Sequence, residues 1–425
     1  DALACTKDAC DPVTGCDYVA DDLACDDSNP CTVDVCVPGQ GCVYSPVSDF
    51  TSCDDGVAGT APDVCISGLC RGTQRASVGV PTLWCQIESA SLEDVSTFDG
   101  SLYAVMNYKL TGILCGTVPC EEGGGYCHSR VLRLDGVTTS GVATVGGLLT
   151  GLSYDGVVGQ SGQVGQIALG GFTVLWSWSD LASTLSSSGM AGGSWTDIWG
   201  TPLPDDNGKA YTLVGRTNTD GPGRVVQCRL DDTGESCDSA SLEFDEWSWD
   251  EFNPAAVSGT LSDNMPLAAI AVQGTVPSAP SGLWLTEDAD EFTFSPLGPG
   301  FTVHGVMRPS ADSAWLFGAE GLIASYDAEG WSTWSPSIEG LSLHAAVTVG
   351  TTLVIVGEQP ATDEAWLITL DLEAEPEDPA SWRAISLGEG RHARDVHASE
   401  DGLTIVGAEI QSDSTTRPYL WHLKL

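Results

Sequence analysis

Two textures divide the chain. From Pro81 onward, short apolar or alternating runs rich in Val, Ile, Leu and Trp are separated by Gly, Asp, Ser and Pro, the pattern of strands joined by turns. Before Gly72 the segments are short and polar, punctuated by Cys, Asp, Gly and Pro, and no apolar run is long enough to form a core. Where a core is lacking, disulfides have to replace it. The pattern predicts a cysteine-rich module over residues 1–72, acting as a stalk, and a strand-built domain over residues 80–425.

Within the second region one sub-pattern recurs: a strand, a strongly apolar strand that often ends in Gly, a third strand, then a fourth containing Trp or Ser. Three copies are clear. The first runs from Val303-His304-Gly305-Val306 through Ala314–Gly318 and Leu322–Asp327 to Ser332–Trp334. The second runs from Leu343–Val347 through Leu353–Gly357 and Ala365–Ile368 to Ser381–Ile385, and the third has Arg394–Val396, Leu403–Gly407 and Tyr419–Leu423. Four copies are weaker, namely Ser101–Val105 with Arg130–Leu134, Ile167–Leu169 with Val174–Trp176, Ala210–Val214 with Val225–Gln227, and Ala268–Val272 with Gly282–Leu285. The expected fold is therefore all-β, a β-propeller of about seven blades; the Gly-rich second copy leaves six open. A tandem of β-sandwiches would need longer repeats. The last copy stops one strand short, and strand 82–90, around Trp84, has the texture to close the ring from the other end.

Through its Trp315-Leu316-Phe317-Gly318 and Val354-Ile355-Val356-Gly357 strands the region resembles divergent β-propellers of the sialidase-repeat or photosystem-assembly-factor type. Ser325–Trp334 looks like a distorted Asp-box.

Ten of the 16 cysteines fall between Cys5 and Cys70, a density suited to an oxidising compartment. Cys25-Asp26-Asp27-Ser28-Asn29-Pro30-Cys31-Thr32-Val33-Asp34-Val35-Cys36, then Gly41-Cys42, is the most complete unit. Cys5, Cys10 and Cys16 repeat its second half, and Cys53, Cys65 and Cys70 form a third copy in which Gly59 stands at the second cysteine position. These segments resemble the slime-mould-type cysteine-rich (CTDC) repeat, which also occurs in large secreted bacterial proteins. If pairing stays within repeats, the first and third copies each leave one sulfur over, to pair with each other or elsewhere, so connectivity stays open. In the second region the spacing predicts a Cys228–Cys237 hairpin disulfide and two bonds among Cys85, Cys115, Cys120 and Cys127.

Zinc is disfavoured because paired knuckle spacings are missing. Calcium is the one candidate ion, through Asp26, Asp27, Asp54 and Asp55, with turn formation the favoured account of these residues. Otherwise no cofactor is expected; Cys120 and Cys127-His128 lack haem-attachment spacing.

Asp and Glu number 59 against 16 Lys and Arg, a formal charge of −43, so nucleic acid and anionic membrane surfaces are disfavoured partners. No apolar run approaches the roughly 18 residues of a membrane span. Since Asp1 is not a translational start, the expectation is an extracellular or cell-surface protein exported by a signal since removed.

No nucleophile elbow, metalloprotease helix or phosphate loop occurs, and with so many acids no carboxylate pair is singled out by spacing. His304, His344 and Arg394 fall at equivalent first-strand positions of the last three copies, where a channel mouth would lie, joined by Asp94 and Asp395. The expected function is an extracellular binding or surface-structural protein, not an enzyme, whose propeller meets protein or glycan partners or copies of itself in a surface layer or filament. The rival is a secreted carbohydrate-active enzyme using the channel mouth.

Overall fold

Strands with alternating apolar positions have to bury one face, and strands apolar on every position have to bury both. In the computed structural model the second region satisfies both demands with seven four-stranded antiparallel sheets. The structure describes residues 3–80, 86–111, 126–160, 164–170, 173–177, 193–204, 208–217, 223–231, 234–239, 251–262, 265–286, 292–336, 338–374, 378 and 381–425. Among these there is no α-helix, and no helix is long and apolar enough to cross a membrane. The chain divides into two compact units, Asp1–Arg75 with Leu423–Leu425 and Ala76–His422.

The sheets are the blades of a propeller. Their first strands are Gln86–Phe98, Leu149–Ser153, Ser194–Pro202, Phe252–Ser262, Val303–Met307, Ser342–Val349 and Arg391–Ser399, for blades 1 to 7. Each packs against the first strand of the next blade, and the seventh packs against the first, so the ring is closed. Second strands are sandwiched between neighbouring blades: Tyr103–Met106, Ala269–Val272 and Leu353–Val356 are wholly buried. That is why they give the strongest apolar runs in the sequence. The cores lie between blades; Trp315, Phe317 and Ile323 of blade 5 pack with Leu343, Leu353, Ile355 and Ile368 of blade 6.

The closing strand differs from the expected strand 82–90. Blade 7 takes its fourth strand from Gln74–Ser77, which pairs with Thr416–Leu423, and Val78 N–H donates to the Pro418 carbonyl at 2.8 Å. Residues 86–90 instead begin the first strand of blade 1, and 81–85, including Trp84 and Cys85, lie outside the described residues. An outer strand is half-exposed, so Gln-Arg-Ala-Ser carries almost no apolar signal, whereas Ala90, Leu92 and Val95 do because an inner strand buries them.

The N-terminal unit consists of hairpins. Strands β1 (Thr6–Asp11) and β2 (Gly15–Ala20), then β3 (Thr32–Val37) and β4 (Gly41–Pro46), form two hairpins, and β5 (Ser52–Cys53), β6 (Asp63–Ile66) and β7 (Leu69–Gly72) form a third small sheet. Five disulfides join them: Cys5–Cys36, Cys10–Cys16, Cys25–Cys42, Cys31–Cys65 and Cys53–Cys70. The leftover sulfurs of the outer copies do not pair with each other. Each reaches into the middle copy, which holds two sulfurs free for the purpose.

Candidate functional site

Each first strand carries an irregularity at the same place, and that of blade 1 has a second, which leaves out Glu88. In blade 5, Val303 pairs with Gly318 and Gly305 with Phe317, so His304 is an extra residue with no partner on the second strand. The same register shift leaves out Glu93, Thr150, Thr196, Ala255, His344 and Arg394 in the other blades. A β-bulge of this kind turns its extra side chain out of the ladder and sharpens the local twist. Seven bulges around a closed ring form a ring of seven side chains, all lining a central cavity of about 600 Å³.

The glycine noticed at the end of the apolar strands belongs to this device. A Cβ on Gly318, Gly357 or Gly407 would stand 1.9–2.2 Å from the carbonyl oxygen of Thr302, Ser342 or His392, two residues before the bulge. Only glycine lets the strands approach that closely.

The ring is chemically lopsided. Blades 5, 6 and 7 contribute His304, His344 and Arg394, blade 1 contributes Glu93, and blades 2, 3 and 4 contribute Thr150, Thr196 and Ala255. Behind the basic arc sits Glu358, buried on the second strand of blade 6. His392 Nδ1 hydrogen-bonds one of its oxygens, and Arg394 Nη1 donates to the other at 3.4 Å. His344 Nε2 lies 3.7 Å from that second oxygen and has no hydrogen-bond partner among the described residues. Burial alone would raise the Glu358 pKa; the imidazoles of His344 and His392 and the Arg394 charge outweigh it and hold the carboxyl well below the usual range. The His304 ring stacks on His344, with centroids 5.3 Å apart, and its Nδ1 is 3.1 Å from Ser342 Oγ. Burial, reinforced by His344, lowers the His304 pKa.

Asp94 and Asp395 line the same cavity but are not the extra residues of the bulges. They occupy the position one residue after the bulge, with Asp197 at the same position in blade 3, and all three act between blades. Asp94 accepts the Leu152 N–H at 2.6 Å, Asp197 the Val257 N–H at 2.9 Å and Asp395 the Val95 N–H at 2.8 Å, each from the following blade. Burial first, then the neighbouring Asp395 and Asp197 carboxylates, pushes the Asp94 pKa well up. Burial raises Asp395 as well, against the hydrogen bonds it accepts, and pushes Asp197 to about 7. Beside them, His397 Nε2 meets Thr97 Oγ1 at 2.9 Å.

Sequence spacing alone thus located His304, His344 and Arg394 but missed Glu93, Thr150, Thr196 and Ala255, and with them Glu358, His392 and Asp197. The available signal was the bulge: each extra residue follows a residue that faces a glycine or its equivalent at the end of the apolar strand.

The calcium candidates sit in two matching turns. Asp26 and Asp27 accept the N–H groups of Ser28 and Asn29, and Asp54 and Asp55 accept those of Gly56 and Val57, all at 2.8 Å. Thr32 and Thr60 hydroxyls add a second donor to Asp27 and Asp55. Asp54, Asp55 and Asp63 each bring one oxygen within 4.8 Å of the others. Cys228 and Cys237 face each other across a hairpin and are disulfide-bonded. Cys127 is also disulfide-bonded, while Cys115 and Cys120 lie outside the described residues.

The sequence profile of the Dictyostelium (slime mold) repeat matches residues 4–20 and 24–47. No relative is found among curated proteins. Similar solved structures include YCF48 from Cyanidioschyzon merolae, 10% identical, covering 82% of this chain and 98% of that one with a TM-score of 0.49. The WD40 propeller domain of Doa1 is 13% identical over 80% of this chain and 97% of its own, with a TM-score of 0.46. A fucose-specific lectin from Aleuria aurantia is 11% identical over 80% and 94%, with a TM-score of 0.39. The N-terminal unit is thus a set of disulfide-bonded repeats similar to the slime-mould cysteine-rich repeat, ahead of a seven-bladed β-propeller.

Proposed function

We propose that this is an extracellular, non-enzymatic binding protein whose propeller mouth holds an anionic or polar group of a protein or glycan partner. The observation that carries the proposal is the arc of His304, His344 and Arg394 on the cavity wall, with His344 and Arg394 beside Glu358 and His304 stacked on His344. In a chain of net charge −43 such a patch gathers nitrogen donors where Arg394 offsets the Glu358 charge, and it favours a carboxylate or sulfate over a cation there. The five disulfides of the N-terminal unit suit a protease-resistant stalk outside the cell.

A panel of neutral and acidic glycans and acidic peptides, titrated calorimetrically at low and moderate salt, tests the proposal. Acidic members bind, binding weakens with salt, and Arg394→Ala or the His304→Ala, His344→Ala pair abolishes it. Salt-independent binding, or binding that survives these substitutions, overturns it.

One observation favours a second function, a carbohydrate-active enzyme. Asp94 and Asp395 lie together on the cavity wall with both pKa values raised by burial, as for carboxylate pairs in some hydrolases. Both, however, are occupied by backbone N–H groups between blades. Sustained release of sugars that Asp94→Asn abolishes would decide for the enzyme.

A further inference from the structure

Blade 1 is built taller than the other blades at the mouth end. Its first strand begins at Gln86, seven residues before the bulge at Glu93. In the other six blades the first strand begins only one to three residues before the bulge. Since a strand rises about 3.3 Å per residue, that of blade 1 projects roughly 13–20 Å further. The second strand follows it, with Ser91 opposite Asn107 and Ser89 opposite Lys109. Alternation puts these four on one face, while Ala90, Leu92, Tyr108 and Leu110 on the other face belong to a buried core.

The polar face borders a second cavity of about 440 Å³, which adjoins the central one: Glu93, Thr150 and Thr196 line both. These three are the bulge residues of blades 1, 2 and 3, so the ring opens sideways where it carries no basic group. Both cavities fall in the range of about 300–1,000 Å³ that suits small ligands. The wall is fixed by its own hydrogen bonds. Asn107 Nδ2 donates to the Leu149 carbonyl at 2.7 Å and its Oδ1 accepts from Ser129 Oγ. Thr150 Oγ1 donates to the Trp195 carbonyl at 2.9 Å, Ser91 Oγ donates to Glu93, and Lys109 Nζ pairs with Glu88 at 3.0 Å. A wall ordered in advance lowers the cost of binding.

The chemistry changes along this path. The basic arc favours one acidic group, and the Glu93 carboxylate at the junction repels a second while accepting hydrogen bonds from hydroxyl groups. Beyond it, Ser89, Ser91, Asn107 and Gln160 present hydroxyl and amide groups. An extended peptide adds to a continuous sheet edge, but every first strand is bulged where it meets the cavity, which interrupts that edge. Hydroxyl-rich sugar rings need only the side chains.

We propose that the side cavity is a second binding site, which takes the neutral sugars of an oligosaccharide whose single acidic sugar occupies the mouth. This rests on the anionic-group reading of the mouth and deepens it to a ligand class, a singly acidic glycan of several sugars.

Calorimetric titration of the full chain compares each acidic sugar with an oligosaccharide that carries it: methyl glucuronide with glucuronic acid on xylotriose, and methyl sialoside with sialyllactose. In at least one series the oligosaccharide is expected to bind about tenfold or more tightly. Ser89→Trp, or Gln160→Trp at an exposed position, fills the side cavity and brings the oligosaccharide to the affinity of its acidic sugar, with melting unchanged. The two readings fail separately. Equal affinity of sugar and chain, both lost in Arg394→Ala, overturns the side site and leaves the mouth reading. Binding of the chain and of its neutral part alike, lost in Ser89→Trp but kept in Arg394→Ala, overturns the mouth reading and with it the acidic sugar. No binding in either series overturns both. A glutamyl-triglycine peptide that gains as much from its length as the glycans do overturns the assignment to sugar.

Discussion

The two units hold their chains together by opposite means. In the propeller, the residues that fill the cores are Leu, Ile, Val, Phe and Trp from adjacent blades, and the described clusters each span two sheets. In the N-terminal unit the buried cluster is Cys5, Cys25 and Cys36, while Val13, Val19, Val33 and Val35 are left exposed. One unit removes apolar surface from water; the other limits the freedom of the unfolded chain by covalent loops. The difference teaches where each unit is vulnerable. A propeller fails at an open edge or a cavity, and a disulfide-bonded repeat fails on reduction.

The largest expected effect tests the ring. A chain beginning at Gln74 keeps the closing strand, and one beginning at Pro81 exposes the edge of Thr416–Leu423. Scanning calorimetry should show the shorter chain melting roughly 10 °C or more lower and aggregating. Equal melting would mean that closure contributes little. Next, Phe317→Ala opens a cavity at a fully buried site between blades 5 and 6 and should cost about 3–5 kcal/mol by denaturant titration. The matching lesion in the other unit, C31S/C65S, cuts an inter-repeat bond across 34 residues and should cost about 3–4 kcal/mol. It should make residues 1–70 protease-sensitive while propeller melting stays put; a fall in both would join the two units into one cooperative block.

The smallest effect is a pH dependence confined to the propeller. Asp197 titrates at about 7 in the folded state against an ordinary 3.8, so between those values the folded chain holds a proton that the unfolded chain has lost. This contribution is therefore greatest below about pH 4 and declines as pH rises through about 7. Asp94, raised for the same reasons, acts in the same direction, and Glu358, held low, acts in the opposite one at acid pH. Asp94→Asn keeps an acceptor for Leu152 N–H and a donor for Asp395 without the charge. It should raise the melting temperature by a few degrees more at pH 8 than at pH 4; an equal shift at both would refute the titration.

Much of this could be read directly. The seven copies, the terminal strand borrowed from the other end and the alignment of His304, His344 and Arg394 all follow from period and spacing. The choice of closing strand did not, because an outer strand such as Gln74–Ser77 is half-exposed and almost free of apolar residues. The rest of the mouth ring was hidden for a different reason: Thr150, Thr196 and Ala255 have no chemistry that marks them, and only the register shift places them beside His304.

Sequence by itself determined the repeats, because a strand that must bury a face repeats its apolar residues, and cysteine positions recur wherever the same loop does. Tertiary structure alone decided which sulfurs meet and which carboxylates have raised pKa values. Cys36 lies opposite Cys42 yet bonds Cys5, 31 residues away, and Asp94 lies 301 residues from Asp395 yet has its pKa raised by that carboxylate. Bond partners and pKa values depend on distance and burial, which exist only once the chain has folded.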